Sequence, residues 1–205
     1  MNYLNEYCWK GTVEKFLSVD CDSWLQKMKQ RYHKVTPYEL TSQQERAWKN
    51  CFKVLHDTLA EMGEDYKKLH LVFEYCLPQY PPKANGSISG QYVIRADCII
   101  ISKETVVVLE FKDRLDVRKE HGFTTRSYRN RLHKYHDQSW GKRKWGILIP
   151  TLSENIRKVI LKRITACSPD RLAEELIAQF GEKPKSVKSF QEWITSTYSI
   201  HEKND

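Results

Sequence analysis

The apolar positions of the chain change period several times, and each change marks an element. From Trp48 through Cys51, Phe52, Leu55, Leu59 and Met62 they recur every three or four residues, which is one stripe of a helix. Ser42 and Glu45 begin that stretch as an S-x-x-E capping box and Gly63 ends it, so a helix is predicted over 42–63. A strand-like run follows over 69–77, then a turn-rich stretch over 78–90. Two runs rich in β-branched residues, 92–101 and 105–112, flank Ser102, Lys103 and Glu104 and predict a β-hairpin. Residues 128–138 read as helical, 145–150 as a short buried strand, and 157–167 fits either helix or strand. Ser168, Pro169 and Asp170 open a helix over 172–180 that Gly181 closes, and Ser189 with Glu192 caps a last short helix containing Trp193. Residues 1–40 are aromatic-rich and predict one or two short helices, with Trp24, Leu25 and Met28 on one side, ending near Pro37.

This order implies an α/β fold, a mixed central β-sheet flanked by helices. A chain of 205 residues is long enough to bury one substantial core without disulfides or metal staples. The expected organisation is an N-terminal helical extension (1–40), a core (41–152) and a C-terminal helical part of the same domain (153–205). No apolar run approaches the ~20 residues that span a bilayer, and no apolar signal-peptide core stands at the N-terminus, so no membrane association is expected. The six cysteines are scattered without a C-x-x-C pair, which reads as reduced thiols in a cytoplasm.

The 34 Lys and Arg outnumber the 26 Asp and Glu, a net charge of +8, and almost all of the surplus sits in one place. Residues 112–144 hold eleven basic and four acidic side chains, interleaved with His121, Tyr128, His133, Tyr135, His136 and Trp140. Such a segment attracts a phosphate backbone and offers rings for stacking; a solvated basic face explains the charge equally well. Arg126, Tyr128, Arg129, Lys134, Tyr135 and His136 are its candidate contacts to nucleic acid, with Arg95 from the hairpin. His133 and His136 have a spacing that can bind zinc, but no second ligand pair accompanies them.

The hairpin carries the chemistry. A turn centred between Lys103 and Glu104 sets Ile101 opposite Val106, Asp97 opposite Glu110 and Arg95 opposite Lys112, and the two-residue period puts those four charged residues on one face. Two carboxylates ~5 Å apart destabilise a sheet unless a cation lies between them, and hard oxygen ligands suit Mg²⁺ or Mn²⁺. Lys112 then reaches the same volume, where an ammonium can hold a water or steady charge on a phosphate oxygen. The bland reading is an exposed face whose four charges pair with one another; the strongly apolar flanks, Ile99 to Ile101 and Val106 to Leu109, argue for enclosed strands instead.

Arg95-Ala96-Asp97, the hairpin, and Glu110-Phe111-Lys112 resemble the core of the PD-(D/E)XK nuclease superfamily, with Ala96 where a proline often stands. The resemblance implies a restriction-endonuclease-like core in which Asp97 and Glu110 bind metal and Lys112 assists the attacking water. A longer stretch, 42–198, is similar to the nuclease-like region preceding the motor of a group of bacterial DNA/RNA helicases. It matches at Ser42-Gln43, Ala47-Trp48, Glu74-Tyr75, Tyr128, Tyr135-His136, Ile147 to Thr151, Glu192-Trp193 and Tyr198. No G-x-x-x-x-G-K-[ST] loop is present, so the chain is not the motor itself but either a free-standing nuclease or a part that works with a partner. Of the Gln-x-x-x-Tyr helix common in such nucleases, Thr124 stands in the first position and only Tyr128 carries over. Glu74 is a third candidate metal ligand or a pairing residue, and Glu45 a candidate that its capping box already explains.

The expected function is metal-dependent hydrolysis of nucleic acid, DNA before RNA, in defence against foreign DNA or in DNA processing. The alternative is a nucleic-acid-binding or assembly module that keeps the fold without cutting. A protein partner and self-association are both compatible with the sequence.

Overall fold

The computed structural model of the protein describes residues 1–201, so the last four residues of the 153–205 segment lie outside it. The fold is α/β. The chain begins with strand β1 (Trp9–Thr12) and helices α1 (Val13–Ser18) and α2 (Cys21–Val35). The long amphipathic helix α3 spans Ser42–Met62. Its N-cap is Thr41, one residue before the expected Ser42: the Thr41 hydroxyl accepts the Gln44 amide, while Glu45 pairs with Lys29 at 2.8 Å and Lys49 at 3.7 Å. Gly63, at φ 90°, supplies the left-handed conformation that stops it.

Strands β2 (His70–Pro78), β3 (Val93–Ile101) and β4 (Thr105–Lys112) follow, then α4 (Phe123–Lys134) and β5 (Arg143–Pro150). The ambiguous segment forms two strands, β6 (Arg157–Leu161) and β7 (Ile164–Cys167), before α5 (Leu172–Phe180) and α6 (Phe190–Ile194). All seven strands make one sheet in the order β1-β2-β3-β4-β5-β7-β6. Successive neighbours from β1 to β4 are antiparallel, β4–β5 and β5–β7 are parallel, and β6–β7 is antiparallel. Helix α4 lies in the β4–β5 connection, as a parallel pair requires a crossover.

Helices cover both faces. Phe73, Cys98, Ile100, Val107 and Leu109 face one core with residues of α1, α2, α3 and α5; Val72, Ile99, Ile101, Val106 and Val108 face the other with α4 and α6. The first 40 residues are therefore more than a helical extension. β1 is an edge strand of the sheet, and Phe16 and Trp24 are fully buried, with the Trp24 ring 5.0 Å from Phe73 and 5.2 Å from Phe52. The C-terminal part, expected to be helical, likewise contributes β6 and β7. Truncating so large a ring leaves a cavity that rigid neighbours only partly fill. Trp24→Ala is expected to lower stability by about 3–5 kcal/mol in chemical denaturation, with α3 and β2 losing structure in the same transition.

Candidate active site

The β3–β4 hairpin has the register expected from its turn. Ser102 Oγ accepts the amides of Glu104 (3.2 Å) and Thr105 (2.9 Å), and Ile101 pairs with Val106, Ile100 with Val107, Ile99 with Val108 and Cys98 with Leu109. The ladder then stops, although both strands continue. In place of the next backbone pair, the Asp97 carboxylate accepts the Phe111 amide at 2.9 Å. Asp97 therefore points across the gap between two separating strands rather than squarely from a face.

The alternation of sides records the same event. On β3, Ala96 belongs to the α4 core and Cys98 to the α3 core; on β2, Phe73 belongs to the α3 core and Tyr75 to the α4 core. Neighbours two apart ought to share a side, so each strand reverses once, at Asp97 and at the facing Glu74. The register is the same on both sides of the reversal, from His70↔Ile101 to Pro78↔Val93, because one residue on each strand absorbs it. Glu74 does so at φ 54°, a left-handed conformation unfavourable for a side chain, held here in the middle of a strand.

The expectation that Arg95, Asp97, Glu110 and Lys112 share one face is corrected accordingly. Arg95 pairs across β2 with Cys76 on the α3 side, where its Nε lies 3.5 Å from Glu74 Oε2 and its guanidinium 5.6 Å from the Tyr32 ring. Glu110 and Lys112 stay together: Lys112 Nζ is 2.9 Å from Glu110 Oε1, and Thr125 Oγ1 donates to Glu110 Oε2 at 2.8 Å. Thr125 comes that near because α4 passes closely over Gly146 of β5, where an added Cβ would lie 2.8 Å from the Thr125 methyl.

Three acids lie near the split between β3 and β4 from two sides of the sheet, Glu74 against Trp48 of α3 and Glu110 against Thr125 of α4. Glu74 is buried, its Oε1 accepting the Trp48 indole N–H at 3.0 Å; Glu110 is 1% exposed; Asp97 lies between their charges. A cavity of about 170 Å³ opens onto the split, lined by Gln44, Trp48, Glu74, Asp97, Phe111 and Lys112. Burial, then the negative charge of Glu74, push Asp97 up to about 7. The Phe111 amide and Lys112 oppose them, and Glu110 adds to them. Burial also raises Glu74, against Arg95 and Trp48. Burial by itself would lower Lys112, but Glu110 and Asp97 hold its pKa above the usual lysine value, so it stays an ammonium at neutral pH. Burial, followed by Glu110 and Asp97, raises the Tyr128 hydroxyl, which sets this α4 residue beside the same acids.

The basic segment divides. Lys112, Arg118, Lys119, Arg126, Lys134 and Arg143 are exposed. Arg129 and Lys144 are buried at 3% exposure, Arg129 Nε donating to the Lys144 carbonyl at 3.4 Å. Lys142 Nζ donates to the Ser102 and Lys103 carbonyls, and Arg131 Nη2 to the Gln79 carbonyl at 2.8 Å. Arg129 is thus corrected from a backbone contact to a packing residue. His136 is corrected too: fully buried, it meets the Tyr75 hydroxyl at 3.3 Å and the Ser139 hydroxyl at 2.9 Å, with the Trp193 ring 4.6 Å away. Burial lowers its pKa to about 3, so it is a neutral ring inside the fold. Tyr135 is half-buried against the α4-side core. Among the described residues no group of three or more His, Cys, Asp or Glu is placed to hold a metal ion. No helix among them is long and apolar enough to cross a membrane.

Trp48 and Thr125, which fix Glu74 and Glu110, were not expected at the site; a tryptophan in an apolar stripe and a threonine at a helix start carry no sign of it. Comparison with protein-family models, with curated proteins and with solved structures gives no match for this chain.

Proposed function

We propose that this protein is a metal-dependent nuclease of the PD-(D/E)XK kind that hydrolyses phosphodiester bonds of DNA in the cytoplasm. The observation that carries the proposal is a buried acid beside two others. Burial pushes Asp97 up to about 7, and the negative charges of Glu74 and Glu110 add to it against the Phe111 amide and Lys112. Either a proton or a cation relieves it. Asp97 and Glu110 are the residues that would hold a divalent ion; two carboxylates suffice for Mg²⁺, which fills its remaining positions with water and phosphate oxygens. Glu74, which meets Trp48 and Arg95 as Glu110 meets Thr125 and Lys112, is a third candidate ligand.

What a divalent ion supplies there when bound is positive charge against a phosphate and a more acidic water. The chain's own groups do the rest. Lys112, kept protonated and half exposed at the mouth of the split, donates hydrogen bonds to an incoming water or to a non-bridging phosphate oxygen. Thr125 keeps the Glu110 carboxylate in place, and the exposed cations from Lys112 to Lys134 attract the backbone.

Plasmid and oligonucleotide cleavage with Mg²⁺ or Mn²⁺, against EDTA, tests this directly. Asp97→Ala, Glu110→Ala and Lys112→Ala are each expected to reduce cleavage at least about 100-fold; activity that survives all three removes the mechanism. A second reading, a binding module that keeps the fold without turnover, is favoured by the lack of a three-ligand cluster among the described residues. It is distinguished by salt-dependent binding that persists in EDTA, with no cleavage of any nucleic acid tried.

A further inference from the structure

A second cleft, larger than the one at the acids, does not lie over them. It has a volume of about 540 Å³ and is built by the chain after α2 and by both ends of the β2–β3 loop. Its walls include Tyr38, Tyr92, Gln79 and Gln91, and Arg95 lines it as well. Arg95 thereby joins the two sites: its Nε faces Glu74 beside Asp97, while Nη1 of the same guanidinium is shielded from water and has no hydrogen-bond partner among the described residues. A guanidinium N–H left in that condition favours any acceptor that can reach it. Among the described residues no carboxylate lines the cleft.

The aromatic residues are unusually bare. Tyr38 is 77% exposed and Tyr92 51%, and Tyr80, also exposed, leans edge-on against Tyr92 with ring centroids 6.1 Å apart. These rings do not serve the core, yet their loops are anchored. The Gln79 amide donates to the Tyr92 carbonyl at 3.1 Å, and Arg131 of α4 ties the Gln79 carbonyl to the helix that carries the basic residues. Flat, water-exposed rings around a cleft with amide side chains, a guanidinium and no negative charge match one ligand chemistry: an aromatic heterocycle with hydrogen-bonding edges and an attached anion.

We propose that this cleft is a stacking subsite for an unpaired nucleobase, and that the substrate class of the protein is single-stranded or locally unpaired DNA. Stacking on Tyr38 and Tyr92 requires an open base face, which a continuous duplex hides between neighbouring pairs. The Gln79 and Gln91 amides meet the base edge, and Arg95 lies on the side of the cleft nearest the acids, where the phosphate of the seated nucleotide or its neighbour passes toward Asp97. The inference rests on the nucleic-acid reading of the site but not on turnover.

The test is binding in EDTA, by fluorescence anisotropy, of a labelled 15-nucleotide oligodeoxythymidylate and of a 15-base-pair duplex. The parent is compared with the Tyr38→Ala/Tyr92→Ala double variant and with Tyr38→Phe/Tyr92→Phe. Both positions are exposed, and circular dichroism checks that each variant is folded. The alanine pair is expected to weaken single-strand binding at least about 10-fold, the phenylalanine pair less than about 3-fold, and neither to change duplex binding by more than about 2-fold. Unchanged single-strand binding in the alanine pair, an equal loss on duplex, or no single-strand binding by the parent overturns the subsite. A protein that shows the expected pattern but cuts nothing keeps the subsite and loses the nuclease; one that cuts while both variants bind like the parent loses the subsite alone.

Discussion

Asp97→Asn is expected to abolish divalent-dependent cleavage, by about 1,000-fold or more, and at the same time to make the metal-free protein more stable. The two effects have one cause. Asparagine still accepts the Phe111 amide, which Asp97 now holds at 2.9 Å, but it removes a carboxylate whose ionisation burial resists. Without a metal that ionisation opposes folding. Folded Asp97 keeps its proton up to about pH 7, while the unfolded chain gives it up near 3.8, so folding binds a proton in that window and stability falls as pH rises through it. His136 acts in the opposite direction. Its folded pKa is lowered to about 3 from 6.5, so the unfolded chain takes up a proton as pH drops below 6.5 and stability falls toward acid.

A single pH profile of the parent would mix the two groups, and the difference between parent and Asp97→Asn isolates one. In EDTA, the stability gained by Asp97→Asn is expected to be near zero at pH 4 and to grow to about 4 kcal/mol by pH 8, read from urea unfolding. A gain that is flat across this range removes the charge-crowding account of Asp97.

Lys112→Met separates holding an ion from using it. The ammonium that sits 2.9 Å from Glu110 is lost while the aliphatic stem is kept. Cleavage is expected to fall about 100- to 1,000-fold, because a charge placed against the reacting phosphate is gone. Mn²⁺ is expected to raise the melting temperature of the parent and of Lys112→Met alike, since both carboxylates are intact. With Lys112 half exposed, the stability lost is expected to be only about 1 kcal/mol. If Lys112→Met eliminates the Mn²⁺ shift as Asp97→Asn does, Lys112 orders the acids rather than acting on phosphate.

Much of the scaffold is legible from the residues because its signals are local. The stripe from Trp48 to Met62 and Gly63 specify α3, and the short turn at Ser102 to Glu104 between two apolar runs leaves one register for β3 and β4. Signals that depend on distant partners are not legible. Trp9–Thr12 has no alternating pattern of its own and becomes a strand only by pairing with β2. The 157–167 segment is too short to show a period, and its hairpin turns at Arg163, whose φ of 57° the sequence does not advertise. At the site, counting outward from the turn brings Asp97, Glu110 and Lys112 into one neighbourhood, but the ladder ends at Cys98 and Leu109, and Asp97 meets the Phe111 amide instead of pairing with Glu110. The count failed for Arg95 because the reversal at Glu74 and Asp97 exchanges the faces beyond it. Basic residues posed the converse difficulty: nothing in the spacing of Arg126, Arg129 and Lys144 says that the first is exposed and the other two are buried.

The whole functional reading turns on whether Asp97 and Glu110 take up a single cation in the split between β3 and β4. Anomalous diffraction from a crystal soaked in Mn²⁺ measures that directly. One peak within bonding distance of both carboxylates, lost in Asp97→Asn crystals, is the expected result; a fully soaked crystal with no peak there, or with an ion touching neither acid, contradicts it.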